Sequence, residues 1–213
     1  MNPIERLFCE NLLPIHRRQR RFLAQINGAA YDFDPTTATL SDSSGATFST
    51  QILGIESNGH WMWAWADSGH LQPATTVAAA AVKAFGEAHG LAELTTAKVE
   101  LAHLRCGGYT LAAIASLAQG SQPFFRCVQP DGVAVFVLVT SVTLPDDAGQ
   151  LTRSEVNRAI RDMFQDYAQA DDILTLSSAM TAAGYRLELT DDAVIGHRGD
   201  EEPMRWERAW FAS

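Results

Sequence analysis

The chain has 213 residues, of which 46% are hydrophobic, and a formal net charge of −9. That length and apolar content suffice for a buried core, and the acidity disfavours nucleic acid and anionic membrane as partners. The longest apolar runs, residues 77–82 and 133–139, are about a third of the roughly 20 residues a membrane-spanning helix needs.

Residues 1–13 mix Glu5, Arg6, Glu10 and Asn11 into apolar positions, unlike a signal peptide, so the cytoplasm is the expected compartment. Cys9, Cys106 and Cys127 have no paired spacing and read as reduced buried thiols rather than a disulfide frame or zinc knuckle. Charge is uneven: residues 1–30 carry +3 and the remainder −12. The run Arg17-Arg18-Gln19-Arg20-Arg21 reads as a helix face docked on the chain's own acidic surface, with a partner or nucleic-acid patch as the alternative.

Residues 3–28 place Ile4, Leu7, Phe8 and Leu12, then Ile15, Phe22, Leu23 and Ile26, at helical spacing. Pro14 removes a backbone donor in their midst, which predicts a kink or two helices, ending by Asn27-Gly28. Tyr31 opens a sheet. Residues 36–40 and 47–57 read as strands around Asp42-Ser43-Ser44-Gly45, and Asn58-Gly59 fits a type I′ hairpin into a strand where Trp61, Trp63 and Trp65 alternate with Met62, Ala64 and Ala66. Both faces of that strand are apolar and are expected to be covered.

After Asp67-Ser68-Gly69-His70 the period becomes helical. Pro73 suits the first turn, Thr75 or Thr76 the cap, and Val77, Ala80, Ala81, Ala84, Phe85 and Ala88 the buried face up to Gly90. The alanine side of the tryptophan strand is its expected seat. Residues 98–104 read as a strand, followed by Arg105-Cys106-Gly107-Gly108 and an alanine-rich helix over 109–118. Residues 122–128 and 133–142 form a hairpin turning at Pro130-Asp131-Gly132, whose second strand is apolar throughout and therefore central.

Residues 144–149 gather proline, glycine and adjacent acids, dividing a core at 1–143 from an acidic extension at 144–213 that carries −7 and packs on the core. Thr152-Arg153-Ser154-Glu155 resembles a capping box opening a helix to about residue 170. Residues 174–183 read as a short helix, 185–189 and 193–197 as a hairpin, and Trp206 and Trp210, four apart, as a docking helix. The flanks of the successive hairpin turns do not match, so no repeat is assigned.

No complete catalytic constellation is legible. Cys106 beside two glycines at a helix start is where backbone donors and the helix dipole favour a thiolate, giving a cysteine-dependent hydrolase as one reading, with His103 or His197 as base. A small buried side chain at a strand-to-helix turn is the plainer reading. The glycines also suit an anion at a helix N-terminus, yet no glycine-rich phosphate loop is present. His60 and His70 bracket the tryptophan strand and, with Asp67, form a convergent set for a metal; turn and surface positions explain them more simply, and no metal or cofactor is expected. The acidic pairs Asp146-Asp147, Asp171-Asp172, Asp191-Asp192 and Glu201-Glu202 fall at predicted turns and lack calcium-loop spacing. The tryptophan row is either core or a groove offering one edge to a partner. Bases are disfavoured without surrounding Lys and Arg, and Trp61, nearest the turn, is the tryptophan expected to reach solvent.

Leu53-Gly54, Trp61-Met62-Trp63-Ala64-Trp65-Ala66-Asp67, Gly86-Glu87 before Gly90, Phe124-Phe125-Arg126 and the strand after Asp131-Gly132 together resemble an uncharacterised bacterial family. It is a domain of unknown function with a leucine-glycine and W-x-W-A-W-A-(N/D) signature. The resemblance covers about residues 30–142 and implies a common scaffold, with no activity to carry over. The expected fold is α+β, a twisted and mainly antiparallel sheet packed by alanine-rich helices, with a smaller acidic α+β extension. The expected function is a non-catalytic cytoplasmic binding or accessory protein, immunity- or chaperone-like, meeting a protein partner through Trp61, Trp63, Trp65, His60 and Asp67. The alternatives are the Cys106 hydrolase and a small-ligand binder with a pocket beside the tryptophan strand. Neither nucleic acid nor membrane is an expected partner, and a homodimer is compatible with the sequence.

Overall fold

The computed structural model describes residues 1–26, 31–67, 69, 71–142, 144 and 151–207. Helix α1 (Pro3–Gln25) is capped by Asn2, whose side chain accepts from the Ile4 N–H, and it runs unbroken through Pro14. The expected division at Pro14 does not occur: the loss of one backbone hydrogen bond is outweighed by a buried face from Ile4 through Phe8, Leu12 and Ile15 to Phe22. The helix ends at Gln25 with Ile26 as its C-cap, ahead of Asn27-Gly28, which lie outside the described residues. Arg20 sits 4.0 Å from Asp162 and 3.9 Å from Asp166, so the basic run does meet the chain's own acids.

Strands β1 (Tyr31–Asp34), β2 (Thr39–Asp42), β3 (Thr47–Ser57) and β4 (His60–Trp63) form an antiparallel meander. β2 starts later than expected because the Asp34 carboxylate accepts from the Thr36 N–H and the Thr37 hydroxyl, making residues 35–38 a turn. Asn58 and Gly59 have φ of 49° and 72°, as a type I′ hairpin requires. The strand ends at Trp63, and Ala64–Ala66 closes into a 3-10 turn. Trp65 therefore leaves the row, which corrects the expected three-tryptophan alternation; the chain bends where helix α2 (Val77–His89) packs on this turn.

Helix α2 ends at Gly90, whose φ is 65°. Its buried residues are Ala78, Ala79, Val82 and Gly86, not the predicted face, and Val77 is 62% exposed. Alanine on nearly every side leaves no directional apolar stripe from which to read the register. A single turn, α3 (Ala92–Thr95), precedes β5 (Lys98–Glu100), which is shorter than the strand expected there. Helix α4 (Gly108–Ala118) then leads into β6 (Phe124–Val128) and β7 (Ala134–Val139).

All six residues of β7 are buried, and the strand pairs with both β3 and β6, as its continuous apolarity implied. Ala134, Phe136 and Leu138 join a core with α1 and α4, while Val135, Val137 and Val139 join a second core with Leu40 and Ile52. The sheet is antiparallel and covered on both faces, and the fold is α+β.

The acidic segment begins with α5 (Arg153–Asp166), opened by the Thr152–Glu155 capping box, and α6 (Asp172–Ala182), capped by Asp171. A separate three-stranded sheet follows, made of β8 (Arg186–Leu189), β9 (Ala193–His197) and β10 (Met204–Glu207). Trp206 lies on β10, buried beside Met204, rather than on the expected helix; residues 208–213 lie outside the described set. Val156, Ile160, Met163 and Leu176 share one core with Ile4 and Phe8 of α1. Among the described residues no helix is long and apolar enough to cross a membrane.

Candidate functional site

The tryptophans do not form a surface. Trp61 and Trp63 are both 0% exposed, so the expectation that Trp61 reaches solvent is corrected. Trp61 packs at 5.1 Å from Trp63 and 5.0 Å from Phe136, and the Trp63 indole N–H donates to the Glu93 carbonyl at 2.8 Å. A Cβ on Gly54 would lie 2.5 Å from the Trp61 ring, so glycine there admits the indole. Trp65 is half-buried beneath the Lys83 ammonium, 4.5 Å from its ring centre. His60 engages the Asn58 carbonyl at 2.9 Å, Asp67 closes the 3-10 turn through its N–H, and His70 lies outside the described residues. Among the described residues no three His, Cys, Asp or Glu side chains group as metal ligands.

A different set of residues shapes a cleft of about 440 Å³ between β3, β6, the turn before α4 and the end of α5. The turn is fixed to α1, since the Arg105 N–H donates to the buried Glu5 carboxylate at 2.9 Å. Gly107 has φ of 53°, a left-handed conformation suited to glycine. At Gly108 a Cβ would meet the tip of the Glu56 side chain from β3, so the bare backbone there lets that carboxylate lie against the helix start. The N–H groups of Tyr109 and Thr110 donate to the carbonyls of Cys106 and Gly107, so this helix end is largely satisfied by its own turn.

The charges of the cleft come from side chains. Arg126, from β6, lies over the Phe136 ring, and its Nη2 is 3.6 Å from Glu56 Oε1. That separation makes an ion pair without a hydrogen bond. Among the described residues the Arg126 side chain makes no hydrogen bond, and its Nε is buried without an acceptor. Sequence reasoning singled out the neighbouring glycines but not Glu56 or Arg126. The two meet only because β3 and β6 flank β7, a register no local pattern reveals.

An adjoining lobe of about 400 Å³ is lined by Leu23, Phe124 and Phe125 together with Gln19 and Arg20, and shares Tyr109, Arg126, Asp166 and Tyr167 with the first. Tyr167, 7% exposed at the end of α5, stands edge-on to Phe8 at 5.7 Å and to Tyr109 at 6.4 Å. Its hydroxyl has no hydrogen-bond partner among the described residues, and burial pushes its pKa up. Asp166 borders both lobes and accepts at 2.9 Å from His16, whose pKa is lowered by burial against the opposing effect of that carboxylate.

Cys106 lines the first lobe, half-buried, and burial pushes its pKa up to about 12, with Glu5 adding to the effect. It is a thiol near neutral pH. Neither proposed base borders that lobe: His103 is 3.7 Å from Glu93, and His197 is 3.1 Å from Glu188 in the C-terminal sheet.

Residues 5–142 match the model of a family of unknown function, DUF6882. The chain belongs to DUF6882. The match begins within α1, earlier than the resemblance from about residue 30, and it stops before the acidic segment. The DUF6882 region thus supplies Glu56, Cys106, Gly108, Tyr109 and Arg126 to the cleft, whereas Asp166 and Tyr167 come from beyond it. No curated protein and no solved structure matches the chain significantly.

Proposed function

We propose that this protein is a non-catalytic binding protein holding a small ligand in the cleft between β3, β6, the start of α4 and the end of α5. Arg126 carries this reading. Its guanidinium offers five N–H donors, faces Glu56 at 3.6 Å and uses none of them in a hydrogen bond among the described residues. A half-buried donor set without a hydrogen-bond acceptor among the described residues is suited to acceptors on a ligand. The Tyr167 hydroxyl, which borders the same cleft and has no hydrogen-bond partner among the described residues, supports the same reading.

The site differs from the pocket expected beside the tryptophan strand, because those indoles fill the core. For a protein partner, first expected on the tryptophan row, Trp61 and Trp63 are closed off, while His60, Trp65 and Asp67 are half-buried. The Cys106 hydrolase is the weaker reading, since a thiol with pKa about 12 and no histidine beside it is poorly prepared for attack. Three free thiols support a reducing compartment, for which the cytoplasm is our assignment.

The test is thermal denaturation across a metabolite panel, with wild-type protein and Arg126→Gln. A ligand at roughly 100 times its Kd should raise the wild-type Tm by about 5–10 °C and leave the variant nearly unmoved. A panel that shifts neither protein, or both equally, would overturn the assignment.

A further inference from the structure

We infer that the ligand is a free α-amino acid with an apolar side chain: Arg126 takes its carboxylate, Glu56 its ammonium, and the lobe of Leu23, Phe124 and Phe125 its side chain. This rests on the reading of the cleft as a small-ligand site. An anion alone in the cleft would approach Arg126 but also meet the Glu56 and Asp166 carboxylates. A cation alone would approach Glu56 but meet Arg126 and Arg105. Either is penalised by like charge at close range, in a setting that screens less than bulk water. A zwitterion is favoured by both signs and leaves the local charge balance unchanged.

Spacing narrows the class. Arg126 and Glu56 are separated by only 3.6 Å, with no hydrogen bond to break. Opposite charges on adjacent atoms of one carbon, as in an α-amino acid, can engage both; widely spaced zwitterions cannot. Arg105 and Arg20 already face Asp171 at 3.6 Å and Asp166 at 3.9 Å, which leaves Arg126 as the cation facing only Glu56. The second lobe adjoins this pair; Leu23, Phe124, Phe125, Tyr109 and Tyr167 give it an apolar and aromatic wall, and the Arg20 and Asp166 charges that also border it already face each other at 3.9 Å, so it accepts an apolar side chain.

The experiment is calorimetric titration of the full-length protein with L-leucine, L-phenylalanine, phenylalaninamide and N-acetylphenylalanine. The free amino acids should bind, and removal of either charge should weaken binding by about tenfold or more. Arg126→Gln should abolish the preference for the acid over the amide, and Glu56→Gln the preference for the free over the acetylated amine. These are changes in selectivity that a merely structural role would not produce. If N-acetylphenylalanine binds wild-type protein as tightly as phenylalanine, or if no amino acid binds, the inference is wrong. Should inorganic phosphate or another metabolite then give an Arg126-dependent rise in Tm, the cleft remains a binding site with a different ligand; if nothing does, both readings fail.

Discussion

His16 is 2% exposed, with its Nε2 on Asp166 and its Nδ1 buried without a partner. Burial holds its pKa below 6.5, although Asp166 pulls the other way. Well above pH 6.5 neither folded nor unfolded chain is protonated there, so the residue contributes no pH dependence. Below that value the unfolded chain binds the proton more readily, and stability is lost as pH falls. Urea midpoints of the wild type should therefore drop between about pH 7.5 and about pH 5.5, and drop less in His16→Gln; parallel curves would show that another group is responsible. The same scale limits what a sequence reveals about the cleft. Cys106-Gly107-Gly108 marks the turn, but the carboxylate that lies against Gly108, Glu56, comes from a strand distant in sequence. Without that neighbour, the helix start reads as a thiolate site.

Among elements, β7 was legible because two-sided burial demands an unbroken apolar run, and the Asn58-Gly59 hairpin because only certain residues take positive φ at both turn positions. The register of α2 was not, since its alanines look alike from every side, and the end of β4 was not, since a period-two pattern continues through a 3-10 turn without a visible break. The pairing of β3 with β7 shifts register between Ile52 and Gly54, and Gly54 then lies opposite Trp63 and against the Trp61 ring. Gly54→Ala should destabilise the protein by about 1–3 kcal/mol through overpacking. Adding Trp61→Phe should make the pair less damaging than the sum of the two single changes, as expected for residues in direct contact. Additive losses in chemical denaturation would place the cost elsewhere.

For the molecule as a whole, the family match and the physical core do not share a boundary. DUF6882 ends at residue 142, yet Phe8 of α1 packs on Tyr167, and Val156 and Ile160 fill the same core as Leu12. Composition marks residues 144–213 by their charge but does not reveal this shared core, because the apolar faces of α1 and α5 match only in three dimensions. A chain ending at residue 142 should lose its cooperative thermal transition and bind a hydrophobic dye; retention of the wild-type Tm would show that the matched region folds alone. The composite cleft has a further consequence. Its charge pair belongs to the sheet, while one wall, Asp166 and Tyr167, belongs to the docked segment. Anything that bridges the two is a clasp: by linkage, occupancy holds α5 in place to the same degree that seating α5 tightens the grip on the occupant.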